Sequence, residues 1–399
     1  MLTGAMARRI TLDFLRTERG AAAVLAAAAG LAIGLANSRL APDYFGFIEA
    51  PFTVQFGAFR ESLSVLDWAR QGLMAVFFFV LGLEIKYEVT RGELANPRHL
   101  ALPALAALGG VVGPALAYLA FNTGAGAAPQ AWPAPIATDM AFALAALAAA
   151  GPKLPATLRI FVLTLAISDN LAAVALMGLT HAGRLHPAWA AAAAAALALM
   201  AMVGRFRQAP YLLYAVGLVV VWALSLHSGV SPAITLAIAA VTIPLSPRKP
   251  GRPGVLEDFM ESLHPYVAYV ILPFFAFTAA GFAFRGVGLS DLFGPVALGV
   301  AAGLALGKPL GVFAAASAVI GLKLARRPTG MRWIELAGVS FLCGAGFTMS
   351  LFVGQLAFPA TGSSEQAQAR LGVIAGSILS TLIGMAVLGW AQGRRAPDT

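Results

Sequence analysis

Long apolar runs follow one another along nearly the whole of this chain, separated by short clusters of basic and turn-forming residues. A helix that crosses a membrane needs about 20 mostly apolar residues. Twelve runs approach that length: 20–37, 67–89, 99–121, 131–150, 157–180, 187–204, 209–227, 229–246, 264–283, 294–321, 335–358 and 371–393. The run 229–246 is short and contains Ser231-Pro232, so it fits a spanning helix least well. The connection 38–66 reads differently. In FGFIEAPFTVQFGAF, Phe, Thr and Val alternate with other residues on either side of a turn, the pattern of a small β-hairpin, with an irregular loop as the alternative. An exposed strand edge there could pair with a second copy of the chain.

The basic residues orient the runs, because Lys and Arg concentrate on the cytoplasmic side of a membrane protein. With the N-terminus inside, twenty of the 27 Lys and Arg residues fall in cytoplasmic connections and six outside, while Lys308 stays within an apolar run. Both termini then face the cytoplasm, and twelve crossings satisfy that parity. The opening segment 1–19 carries Ile10, Leu12, Phe14 and Leu15 among arginines and reads as a short interfacial helix, with a cleavable signal peptide as the competing reading.

Composition agrees with the pattern. The chain is 59% hydrophobic and only 11% charged, with a mean hydropathy of +0.80, against roughly 25% charged residues in a soluble domain. The net charge of +9 is spread between apolar runs as topology signals rather than gathered into one patch, so no nucleic-acid partner is expected. The surrounding partner is membrane lipid. Cys343, the sole cysteine, excludes an intramolecular disulfide. GLAIGLANS lacks the lysine and the strand of a phosphate loop, which argues against an ATP-driven pump.

Three ionisable residues interrupt the apolar runs: Asp139 in PIATDMAFALAAL, Asp169 in FVLTLAISDNLAAVALMGL and Lys308 in GVAAGLALGKPLGVFAAASAV. A charge at the centre of a membrane helix costs about 2.5–3.5 kcal/mol, so such residues usually line an ion or proton path. Two segments also look built to break. Pro133 and Pro135 precede Thr138 and Asp139, and Gly344 and Gly346 precede Thr348. Broken backbone at membrane depth survives only when it is buried in protein or lines a cavity, where freed carbonyls and helix ends can meet ions. The alternative is a close-packed small-residue interface. The two segments, each flanked by helices, fit inverted repeats at about 99–180 and 294–393.

The runs VFFFVLGLEIKYEVTRGEL (77–94), PIATDMAFAL (135–144), LAISDNLAAV (165–174), LHPYVAYVILPFFAFTAAG (263–281), LGKPLG (306–311) and LCGAGFTMSLF (342–352) closely resemble the bacterial NhaA family of Na+/H+ antiporters, in order and nearly end to end. The resemblance implies an all-α integral membrane protein of about twelve helices, one transporter domain over 1–399, two crossed broken helices, and a homodimer formed through 38–66. It implies a multi-pass protein of the bacterial cytoplasmic membrane that is a carrier rather than an enzyme. It needs no cofactor and takes Na+ or Li+ and H+ as cargo. Carried over residue by residue, the family's paired carboxylates fall on Asp169 and Asn170, its intramembrane lysine on Lys308, and its broken-helix Thr-Asp on Thr138 and Asp139. Its funnel-mouth glutamate falls on Glu84 and its downstream cytoplasmic acid on Glu257, both associated with the pH response.

Asp169 would bind Na+, since an ionised carboxylate offers oxygen ligands and a protonated one does not. Lys308 can neutralise Asp169 when no cation is bound. Two departures stand out. The familiar pattern is Asp-Asp where this chain has Asp169-Asn170, and Ser231 stands where a histidine is common. Asn170 can offer a carbonyl oxygen but carries neither proton nor charge. The expectation is therefore an antiporter exporting sodium against protons. A divergent member, electroneutral or inactive because of Asn170, is one alternative; a passive cation channel is another.

Overall fold

In hydrocarbon an isolated apolar segment can satisfy its own backbone only as a helix, and each of the twelve runs contains helix in the computed structural model of this chain. The structure describes residues 20–57, 59–92, 97–124, 127–151, 154–180, 185–205, 210–245, 254–284, 291, 293–328, 330–358 and 363–394. The interfacial segment expected at 1–19 lies outside them. Among the described residues, five helices are long and apolar enough to cross a membrane, or up to eight when each bent pair counts as one span. Pro187–Val203 and Pro232–Thr242 are shorter. Within the run 229–246, helix covers only the 11 residues from Pro232 to Thr242. Pro232 opens it, and the extended Ile243 before Pro244 closes it, because a residue preceding proline is pushed out of the helical region.

The chain divides into two compact units. The first comprises the residues up to Leu31, Arg98–Ala173 and those from Phe282 onward. It holds two stretches with the same order of parts: a long helix, a bent pair, a long helix. In the first these are Pro97–Phe121, Pro129–Ile136 with Met140–Ala150, and Ala156–Thr180, whose last residues belong to the other unit. In the second they are Pro295–Gly321, Trp333–Leu342 with Phe347–Ala357, and Ser364–Gly393. The two bends are 43° and 46°. The half before the first break consists of two short 3-10 turns, Pro129–Ala131 and Ala134–Ile136, because prolines 129, 133 and 135 remove the donors a regular helix would need.

The second unit comprises Ala32–Pro97 and Val174–Gly281. Part of the segment 38–66, read above as hairpin or loop, is a nine-residue helix, Ala41–Glu49; its Tyr44 donates to the Phe277 carbonyl at 2.6 Å. The rest is a hairpin. Pro51–Phe56 pairs antiparallel with Phe59–Ser64, in register from Pro51 opposite Ser64 to Phe56 opposite Phe59. Gly57, with φ of 60°, follows Phe56 in the left-handed region that favours glycine. In the same unit Lys86 donates to the carbonyls of Val241 and Ile243, closing the C-terminal end of the 232–242 helix.

Among the described residues, three helices contain one π turn each: Ala69–Leu73, Val267–Ile271 and Gly303–Gly307. The latter two lie directly before Leu272-Pro273 and Lys308-Pro309. A proline inside a helix has no N–H and crowds the carbonyl four residues back. The widened turn relieves that clash without ending the helix.

Candidate functional site

The two breaks meet. After Ile136 the chain is extended at Ala137, and the Asp139 N–H donates to the Ala345 carbonyl in the other break, at 2.6 Å. Asp139 is the N-cap of Met140–Ala150, its Oδ1 accepting from the Phe142 N–H at 3.3 Å. Its Oδ2 accepts from the Thr348 N–H at 3.1 Å and from the Thr348 hydroxyl. One carboxylate thus sits on the amino ends of two helices, where the partial positive charge of each helix dipole favours an anion. Gly346 permits the approach: a Cβ there would lie 2.9 Å from the Ala137 carbonyl oxygen and collide with Ser350 Oγ. A Cβ at Gly344 would collide with the Leu304 carbonyl and Ser380 Oγ.

The carbonyl ends at the breaks are also occupied. Lys308 Nζ donates to the Ile136 carbonyl and to Thr138 Oγ1, and lies 2.8 Å from Asp169 Oδ2, with both side chains 0% exposed. These three contacts use all three ammonium donors. Thr138 Oγ1 has one proton and two acceptors within reach, the Cys343 carbonyl at 2.9 Å and Asp169 Oδ2 at 3.1 Å. The Thr138 N–H donates to Asn170 Oδ1 at 3.1 Å. The Asn170 carbonyl, read above as an oxygen on offer to a cation, is therefore already holding the first break. Asp169 Oδ1 is buried and has no hydrogen-bond partner among the described residues.

Thr138, Asp139, Asp169, Asn170, Lys308, Gly344, Gly346 and Thr348 are thus brought together in the first unit. Glu84 and Glu257 belong to the second. Glu84 Oε1 is 3.2 Å from His264 Nε2. Glu257 accepts from the Gly254 N–H at the start of its helix and pairs with Arg91 at 2.8 Å. Ser231 is the N-cap residue of Pro232–Thr242, and His227 pairs with Glu61 at 2.8 Å.

Pattern reading had no access to the carbonyls of Ile136, Cys343 and Ala345, since a backbone oxygen leaves no mark in the sequence.

A buried acid and base held where two interrupted helices meet are the arrangement of a secondary membrane carrier. A family model described as Na+/H+ antiporter 1 matches residues 12–388, and the chain belongs to that family, one of those from which the rule on broken helices was drawn. It is 43% identical over 402 residues to the Na+/H+ antiporter NhaA of Rhodospirillum rubrum, covering 97% of this chain and 98% of that one. It is 39% identical to the Na+/H+ antiporter NhaA 1 of Magnetococcus marinus, covering 96% and 98% respectively. With the Na+/H+ antiporter NhaA 1 of Pseudomonas putida the figures are 42%, 96% and 97%.

Proposed function

We propose that this protein exchanges Na+ or Li+ for H+ across the bacterial cytoplasmic membrane, by alternating access around Asp169. The observation that carries the reading is the fully buried Asp169–Lys308 pair at the meeting point of the breaks. A cation reaching Asp169 competes with the ammonium for the same carboxylate. Protonation of Asp169 removes the ligand and releases the cation. Twelve crossings with both termini cytoplasmic, inverted repeats and a homodimer through the hairpin complete the proposed architecture. Asp139 serves as electrostatic scaffold, and Glu84 and Glu257 contribute to the pH response.

Asn170 shapes the cycle. With Asp169 the only exchangeable carboxylate at the site, one proton per sodium is the simplest exchange, and it moves no net charge. A member that has lost transport altogether is the second reading, favoured by that same residue.

Sodium and lithium jumps on proteoliposomes carrying the full chain test the proposal. Saturable, sodium-dependent proton flux that disappears in Asp169→Asn supports it. Parent-level flux in that variant removes Asp169 from the mechanism. Non-saturating sodium current uncoupled from protons would identify a channel.

A further inference from the structure

The segment LGGVVGP in the Pro97–Phe121 helix has three glycines, and the structure gives them different work. Gly109 and Gly113, four residues apart, face Gly307 and Gly311 of the Pro295–Gly321 helix, also four apart. A Cβ on Gly109 would collide with the Gly311 carbonyl and one on Gly113 with the Gly307 carbonyl. This double small-residue contact lets two helix backbones touch, and Lys308 lies between its two glycines.

Gly110 stands outside that contact. A Cβ there would have side chains, not backbone, as its three nearest neighbours: Asp169 Oδ1 at 3.1 Å, Val312 Cγ2 at 3.2 Å and Asp169 Oδ2 at 3.5 Å. The first of these is the buried oxygen that lacks a hydrogen-bond partner among the described residues, while Oδ2 is engaged by Lys308. Close backbone contact accounts for Gly109 and Gly113, whereas at Gly110 the facing helix offers only the Val312 side chain. The uncommitted carboxylate oxygen supplies a further reason for glycine there.

We propose that Gly110 sets the clearance in front of Asp169 Oδ1 and so limits the size of the cation that can be ligated there, an inference that rests on Asp169 being the cation-binding carboxylate. A methyl group at this point fills the approach to Oδ1 on one side while leaving the Asp169–Lys308 contact in place. Selectivity between hard cations follows cavity size and ligand number, so the loss falls more heavily on Na+ than on the smaller Li+.

The test compares the parent, Gly110→Ala, Gly110→Ala/Val312→Ala and Asp169→Asn as full chains, by thermal melting and by sodium and lithium jumps in proteoliposomes. Gly110→Ala is expected to raise the half-saturating Na+ concentration about tenfold and that of Li+ clearly less, as a cavity-size effect requires. Unchanged half-saturation for both ions, with Asp169→Asn inactive, overturns the role of Gly110 and leaves Asp169 standing. Parent-like flux in Asp169→Asn overturns the reading on which the inference rests. If Gly110→Ala melts early, the double variant decides, since it removes the Val312 contact but keeps the methyl beside the carboxylate. A Li+ preference that persists there supports the proposal, and a return to parental selectivity reduces Gly110 to a packing residue.

Discussion

Thr348 gives both its backbone N–H, at 3.1 Å, and its hydroxyl to Oδ2 of Asp139, a residue 209 positions earlier in the chain. The other oxygen of the same carboxylate caps the helix that Asp139 itself begins. A single side chain thereby fastens the two breaks to each other and neutralises both helix ends.

Asp139→Asn should consequently slow exchange or weaken apparent sodium affinity without abolishing it. The amide keeps one acceptor but loses the charge, and hydrogen bonds to a charged group contribute about 1.5–3 kcal/mol each. Melting temperature and initial flux, taken on the same preparation, measure the two consequences. Total loss of flux from a protein that melts normally would instead make Asp139 a direct ligand.

Lys308→Ala leaves the buried Asp169 carboxylate without its ammonium and the Ile136 carbonyl without its donor. Removing one partner of a buried pair typically costs about 3–5 kcal/mol. The variant should melt at lower temperature, and added sodium should recover more stability in it than in the parent, because the cation takes the ammonium's place. Melting curves with and without sodium check this; identical sodium dependence in both proteins counts against competition for Asp169.

Asn170→Asp should fold like the parent, because either side chain offers Oδ1 to the Thr138 N–H. It adds a second exchangeable carboxylate, so voltage imposed on proteoliposomes without a pH gradient should drive sodium-dependent proton movement in the variant and little in the parent. Strong voltage-driven exchange by the parent would point to Lys308 as a second proton carrier. A silent parent rescued by the substitution would mark a chain that has lost transport.

If the proposed homodimer forms through the hairpin, replacing residues 51–64 with a short Gly/Ser turn should leave a monomer with flux per chain retained. The closure is feasible, since the Val65 N–H already bonds the Ala50 carbonyl at 3.1 Å. Native mass spectrometry before and after excision reads the change, and an undiminished dimer places the interface elsewhere.

Much of the architecture was legible because lipid imposes a simple rule on the sequence: apolar runs become helices, and prolines or glycines among them show where helices stop. Pro133, Pro135, Gly344 and Gly346 located both breaks in this way. The Ala41–Glu49 helix was missed because it is short, and apolar and polar residues share it without a long run. The ligands of Lys308 were half visible. Asp169 and Thr138 announce themselves as side chains, whereas the Ile136 carbonyl becomes available only because the backbone leaves its helix there.

The π turn at Gly303–Gly307 has a meaning for the register of everything beyond it. A π turn holds one residue more than the regular turn it replaces, and each residue of a regular helix advances the next by roughly 100°. Deleting a single residue within 303–307 would therefore return the turn to its regular form and leave Lys308 facing nearly its present direction, whereas a deletion from a regular turn ahead of it would swing Lys308 by about that angle. The π turn is thus a reserve of one residue: the helix can give it up with the acid still on its base, and what it loses is the room the widened turn makes for the Pro309 ring.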